Sequence, residues 1–386
     1  MIFTKNKRLD KSNNSSPLAF NFFNQLERSM IRTAILALAT GIGMQAWGQT
    51  APKYSNEFLS LGVGGRALGM GSAQVSQVND VTAGYWNPAG LVMAKGDIQI
   101  AFMHNEYFAG IAKYDYLGLT APIDSMRHIG VSMLRFGIDD IANTIDLKDQ
   151  DGNINYDRIT GFSAADYAFL ISFASKTRIT GLHYGANVKI IHRKVGDFAK
   201  AWGFGLDAGL QYTSGEWRIG AMLRDVTSTF NAWSYTLDDR TKDVFTETGN
   251  DIPENGLELT LPRLIPGVSR EFVLKKFSIA PAIDLEMTFD GKRNTLVKTN
   301  FASIDPRVGI ETGYNHLVFL RVGVSNFQEV TDTDGKKKTT VQPNLGVGIR
   351  LKSLSLDYAL TNIGNSNNLY SNVFSIRLNI YKQKKT

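Results

Sequence analysis

Residues 200–213, KAWGFGLDAGLQYT, place Trp202, Phe204, Leu206, Ala208, Leu210 and Tyr212 at every second position, with Gly203, Gly205, Asp207, Gly209 and Gln211 between them. A period of two puts successive side chains on opposite faces of an extended chain, so the stretch reads as a strand with one greasy and one polar face. The same alternation recurs along the chain. In 276–289, Phe277, Ile279, Ile283, Leu285, Met287 and Phe289 alternate with Ser278, Ala280, Ala282, Asp284, Glu286 and Thr288. VQPNLGVGIRL (341–351) and NVFSIRLNIY (372–381) repeat it, with Arg350 and Arg377 on their polar faces.

These segments run to roughly ten residues, the length a tilted strand needs to cross hydrocarbon. They are predicted near 96–105, 110–120, 127–136, 164–175, 179–193, 200–213, 216–226, 258–273, 276–289, 305–314, 317–327, 339–351, 353–363 and 370–381. From the second onward, every even-numbered connection is short: PIDSM, KTR, SGE, LKK, NH and KS. Most odd-numbered ones are long and polar, chiefly 137–163, 226–257 and QEVTDTDGKKKTT. Tight turns alternating with long loops belong to an outer-membrane barrel rather than a soluble β-sandwich, and closing the sheet satisfies every backbone donor and acceptor where water is absent. The fold class is therefore all-β: a transmembrane antiparallel barrel of about fourteen strands. Trp202 and Tyr212, Phe277 and Phe289, and Trp217 sit at strand ends, as interfacial aromatic girdles do.

Composition agrees. The 386 residues include 36 glycines and no cysteine, which removes a disulfide framework, a thiolate metal site and a lipidated N-terminal cysteine. Residues 1–48 hold six basic and two acidic side chains, +4 of the chain's +6, so the remainder is near neutral and no nucleic-acid partner is implied. Arg32, the apolar run TAILALATGIGM, and Ala46 and Gly48 ahead of Gln49 read as a secretory signal, with Met30 as an alternative start to Met1. The organisation expected is an upstream extension and signal over 1–48, an N-terminal plug over 49–95, the barrel over 96–381 and a basic tail over 382–386.

The plug is expected from 56–91, NEFLSLGVGGRALGMGSAQVSQVNDVTAGYWNPAGL, in which an Asn-Pro turn and an indole precede the regular strands. Its RALGMG run, Asp80 in VNDVTA and the NPAGL motif resemble the N-terminal region of PorV/PorQ-like proteins, within the FadL-type outer-membrane barrel superfamily. The resemblance implies fourteen strands and an N-terminal hatch folded inside the lumen. Gly69, Gly71, Asp80, Trp86, Asn87, Pro88, Ala89 and Gly90 would belong to that hatch.

Other motifs carry less. GVGGRA lacks the strand–helix–strand setting of a dinucleotide loop. Asp149, Asp151 and Asn153 lack the glycine and terminal glutamate of a calcium loop, so a solvated external loop is expected there. Five histidines are scattered without ligand spacing, and no serine sits in a nucleophile elbow. Neither catalysis nor a cofactor or metal is expected. The polar strand faces collect Asp207, Asp284, Glu286, Glu311, Arg321, Arg350 and Arg377, with Asn187, Lys189 and Asn379. An Arg or Lys at the lipid midplane costs about 2–4 kcal/mol, so these faces line the lumen, as a water-filled path or as a network paired with itself and the hatch.

Two functions follow from the resemblance. The PorV/PorQ likeness implies type IX protein secretion, in which external loops bind secreted proteins or the translocon, and this is the favoured expectation. The wider superfamily implies passive uptake of hydrophobic small molecules such as long-chain fatty acids, which needs an apolar route and is weakened by the polar inner faces. Both place the chain in the bacterial outer membrane, in contact with its lipid.

Overall fold

The computed structural model describes residues 55–107, 110–148, 152–331, 334–361 and 370–382. The expected leader, both candidate starts, Asp149, Asp151 and the tail beyond Lys382 lie outside them.

A single antiparallel sheet of eighteen hydrogen-bonded segments merges into fourteen strands that close on themselves. They are β1 (Ile98–Tyr107), β2 (Ala112–Pro122), β3 (Arg127–Asn143), β4 (Thr160–Lys176), β5 (Leu182–Val195) and β6 (Ala199–Ser214). Then come β7, in two pieces (Trp217–Arg224 and Thr229–Tyr235), and β8, in three (Gly256–Thr260, Arg263–Arg270 and Phe272–Leu274). The ring continues through β9 (Phe277–Thr288), β10 (Ser303–Tyr314), β11 (Val318–Thr331), β12 (Lys337–Arg350), β13 (Leu354–Thr361) and β14 (Ser371–Ile380). The remaining segment, Val297–Lys298, pairs with the start of β10. The ring shuts where β1 meets β14, from Ile98 opposite Ile380 to Glu106 opposite Asn372. Closure leaves the described ring itself without an open edge strand.

Outward positions carry the large apolar side chains. On β6, Trp202, Phe204, Ala208, Leu210 and Tyr212 are exposed while Gly203, Gly205, Asp207, Gly209 and Gln211 are buried. Trp217 and Phe277 are exposed at the turn end of the barrel. Asp207, Asp284, Glu286, Glu311 and Arg321 are buried inside, and Arg350 and Arg377 are partly buried on the same face.

Several strands outrun their expected ends. β3 continues to Asn143 and β4 starts at Thr160, so the predicted 137–163 loop is partly ladder, with a bulge between Ile138 and Ile141. The predicted 226–257 loop contains Thr229–Tyr235, which bonds to β6 on one side and to Gly256–Thr260 on the other. These extensions are short and lie inside stretches of polar loop residues, although Thr229–Tyr235 keeps Phe230 and Ala232 exposed on its outer face, and backbone pairing continues there. The same loop holds a helix, Asp239–Glu247, capped by Asp238, whose carboxylate accepts from the Thr241 amide at 2.7 Å. The Thr241 hydroxyl and amide together hold the Asp238 carboxyl below its usual range. Arg240 at the start of this helix donates to the Lys148 carbonyl at 3.1 Å, joining the two longest loops.

Candidate functional site

Residues 55–93 form short helical turns, Glu57–Ser60, Gly65–Gly69, Ala83–Trp86 and Pro88–Met93, and most of their side chains are buried against the inner wall. Phe58, Val63, Leu68, Tyr85, Trp86 and Leu91 share one apolar cluster with Met103, Tyr114, Tyr116, Leu134, Leu170 and Ile191 of β1–β5. This is the protein's largest core cluster among the described residues, and half of it comes from a segment outside the sheet.

The motif residues are distributed through this packing. The helix Gly65–Gly69 ends with Gly71 in the left-handed region at φ 61°, a conformation that costs glycine nothing. Gly69 abuts Gly346 of β12, and Gly90 abuts the Val78 carbonyl. The Asp80 carboxylate accepts from the Thr82 amide at 2.9 Å and forms an ion pair with Arg377. Trp86 is buried and donates from Nε1 to the Val63 carbonyl at 2.9 Å. Asn87 caps the turn that Pro88 opens. Its Oδ1 accepts from the Ala89 amide at 3.2 Å, and its Nδ2 donates at 2.9 Å to the carbonyls of both Val75 and Leu210. One side chain thereby ties two parts of the segment to β6.

The inner-wall charges reach the same segment. Glu311 accepts from Arg66 at 2.9 and 3.0 Å and from Arg321 at 2.7 Å, and Arg321 donates onward to Asp357 at 2.8 Å. Asp284 accepts the Gln74 and Val75 amides at 2.7 and 2.8 Å. Glu286 sits between Arg263, at 3.1 Å, and Arg307, and Arg263 also reaches Glu57 at 2.9 Å. Asp207 accepts from Lys189 at 3.0 Å, and Lys189 also contacts Asp225. Asn187 donates to the Gly84 carbonyl at 2.8 Å. Arg350 lies over the Phe319 ring at 4.3 Å, and Asn379 accepts from Gln99 at 2.5 Å. Buried charges are tolerated when paired and hydrogen-bonded, as Glu311, Glu286, Asp207 and Lys189 are, whereas Asp284 rests on two backbone amides with its Oδ1 unbonded.

Sequence reasoning named both members of Asp80–Arg377, Lys189–Asp207 and Glu311–Arg321 but missed Arg66, Arg263, Arg307, Asp225 and Asp357. The strand members among them occupy inward positions that the period-two pattern marks, but register is needed to see who faces whom. It also passed over the inward wall glycines. A Cβ on Gly309 would lie 2.3 Å from the Met70 carbonyl oxygen, and one on Gly323 would lie 2.1 Å from the Gly71 nitrogen. The wall is smooth where the segment's backbone touches it.

On the loop side of the segment lies a cavity of about 740 Å³. One wall is apolar, from Phe58, Leu61, Leu68, Tyr107 and Phe136; the rest is polar, from paired charges on β4, β5 and β8–β10 and from amides and hydroxyls of β10–β14. Its size is that of a small-molecule site.

No family model matches the chain, and no curated protein does. Solved structures do. The monoaromatic hydrocarbon channel CymD is similar over 84% of this chain and 99% of its own, with a TM-score of 0.53 at 14% identity. The Pseudomonas putida toluene transporter TodX aligns over 83% and 99% (TM-score 0.53, 14% identity), and the Ralstonia pickettii toluene transporter TbuX over 82% and 98% (TM-score 0.52, 14% identity). The fold is the one these channels share, a closed fourteen-strand antiparallel barrel. Their names describe hydrocarbon channels and toluene transporters, the class of the second functional expectation rather than the first.

Because Asn87 bonds three backbone groups at once, Asn87→Leu should strip its bond from the Ala89 amide and the Leu210 carbonyl and leave the Val75 carbonyl with Gln211 alone. A buried group left unpaired costs about 1–3 kcal/mol. Leakage of small sugars through reconstituted protein should rise severalfold in a liposome-swelling assay, and further when Pro88→Ala is added. Unchanged swelling in folded protein would show that the turn holds nothing in place.

Proposed function

We propose that the protein is an outer-membrane channel for passive uptake of hydrophobic or amphipathic small molecules, with residues 55–93 as its hatch. The cavity on the loop side carries this reading. It has the volume of a ligand site, and its apolar wall comes largely from the hatch itself, through Phe58, Leu61 and Leu68. A solute bound there therefore touches the element that must move to let it pass. Passive entry needs affinity high enough to capture and low enough to release, which a half-apolar cavity provides. The fold shared with toluene and monoaromatic hydrocarbon channels supports the same reading.

The PorV/PorQ resemblance of residues 56–91 keeps type IX secretion as a second reading, with the joined loops around Lys148 and Arg240 as the surface for cargo or translocon. One deletion strain separates the two. Uptake of labelled toluene and of a labelled long-chain fatty acid should fall severalfold for at least one of them, with surface delivery of secreted proteins intact. Loss of surface delivery with uptake intact would put secretion first.

A further inference from the structure

The cavity's polar side is of two kinds. Its arginines are neutralised: Arg193 pairs with Asp166 at 2.8 Å, Arg263 with Glu57 and Glu286, Arg307 with Glu286, and Arg293 with Asp290 and Glu57, while the lining carboxylate of Asp305 accepts the Phe327 amide at 3.3 Å and adds a negative charge. Each of the four guanidiniums lining the cavity thus faces at least one carboxylate. An anionic headgroup would have to displace one of them, at the cost of leaving a buried carboxylate unpaired.

The other kind is uncharged. Ser325, Asn326, Gln328, Thr340, Gln342 and Asn344 form a patch of amides and hydroxyls on facing positions of β11 and β12. A bulge between Ser325 and Gln328 builds this patch, with Asn326 in the left-handed region at φ 53°. Bulges bend a strand and re-aim its side chains, and here the bulge puts amides at the cavity. The patch is only partly self-satisfied. Gln328 Nε2 donates to Asn326 Oδ1 at 2.8 Å, and Asn344 Nδ2 donates to the Gln342 carbonyl at 3.0 Å and to Ser325 Oγ at 3.3 Å. Gln342 Nε2 and Gln328 Oε1 make no bond to the described residues, although a primary amide offers two donors and two acceptor lone pairs. The apolar wall with Phe58, Tyr107 and Phe136 belongs to the same cavity.

We infer that the cavity takes a neutral amphiphile with a hydroxylated head, of the alkyl-glycoside class, its head on the β11–β12 amides and its chain on the wall of Phe58, Tyr107 and Phe136. Hydroxyls both donate and accept, matching amides that do the same, whereas a hydrocarbon would leave those amides unpaired and a carboxylate would meet only neutralised cations. The inference rests on the uptake reading and narrows its substrate.

The test uses the full chain in lipid nanodiscs, with empty nanodiscs subtracted, titrated calorimetrically with octyl glucoside below its micellar concentration, with octanoate and with toluene. Octyl glucoside should bind saturably and about tenfold more tightly than octanoate. The double variant Gln328→Leu with Gln342→Leu should weaken octyl glucoside about tenfold, the loss of two modest hydrogen bonds, while toluene changes less than twofold. Should the double variant fail to fold, Gln328→Leu alone is read for a loss of about threefold. Octanoate binding as tightly as octyl glucoside, or folded variants that bind octyl glucoside unchanged, would overturn the inference. Toluene binding without octyl glucoside would sink it and leave the uptake reading standing, while binding of neither would count against both.

Discussion

Glu311→Ala is expected to make the barrel leakier to small solutes. Glu311 is buried and is the carboxylate to which both Arg66, from the N-terminal segment, and Arg321, from β11, donate. Its removal leaves two largely buried guanidiniums near two carboxylates that are already engaged, Asp357 by Arg321 and Asp80 by Arg377. Removing one partner of a buried pair costs about 3–5 kcal/mol, and Arg66 can escape that cost by leaving the wall with its segment. Since 1.4 kcal/mol is a tenfold change in an equilibrium, the displaced form should gain roughly a hundredfold or more. Liposomes holding the variant should swell in small sugars at least tenfold faster than wild type, with heat-modifiable electrophoretic migration confirming a folded barrel. Swelling at the wild-type rate in folded protein would show that the ion-pair chain does not hold the segment. Arg66→Leu removes one charge of the same cluster and leaves Glu311 with Arg321, so its effect should be smaller. That ordering separates a charge-pairing role from simple loss of packing.

The strands were legible because membrane crossing imposes a strict chemical rule on them. Every second residue of 200–213 must tolerate lipid, and no soluble surface would demand that so consistently. Where the alternating run is cut short among polar loop residues, as at Ile141–Asn143 or Thr229–Tyr235, pairing continues but the sequence no longer announces it. The lumen was half legible for a different reason. Inward charges such as Asp284 and Glu311 stand out in an alternating strand, but their partners sit some 200 residues away, in a segment without periodicity. The functional ranking suffered most from this. Polar inner faces argue against uptake only if the solute must meet them. Most of those charges are consumed beneath or beside the segment, by Gln74, Val75, Arg66 and one another, and the cavity above presents an apolar wall of the segment's own making. Whether a lumen is polar to its ligand depends on which groups remain unpaired once the chain is packed, and that is a property of register and tertiary contact.

Gly323→Leu should displace the segment without harming the strand that bears the change. Gly323 faces Gly309 across the β10–β11 ladder, and together they receive the backbone of Met70 and Gly71. A Cβ at Gly323 would lie 2.1 Å from both the Gly71 nitrogen and the Met70 carbonyl carbon, contacts with main-chain atoms that no rotamer change relieves. The strand itself accepts a larger residue readily, since a side chain at a ladder position stands off the sheet and disturbs no backbone bond. The strain is therefore relieved by moving the segment, whose helix Gly65–Gly69 carries Arg66. In the wild type that arginine is buried and held by Glu311, so trypsin added to proteoliposomes should leave the Arg66–Ala67 bond intact. In the Gly323→Leu protein the bond should be cut almost completely under the same conditions, while the barrel keeps its heat-modifiable migration. Gly161→Leu, at a ladder position where a Cβ meets nothing within 4 Å, serves as the control and should stay uncut. A folded Gly323→Leu barrel that remains resistant at Arg66 would mean that the wall yields instead of the segment, and close backbone approach would then have no part in seating residues 55–93.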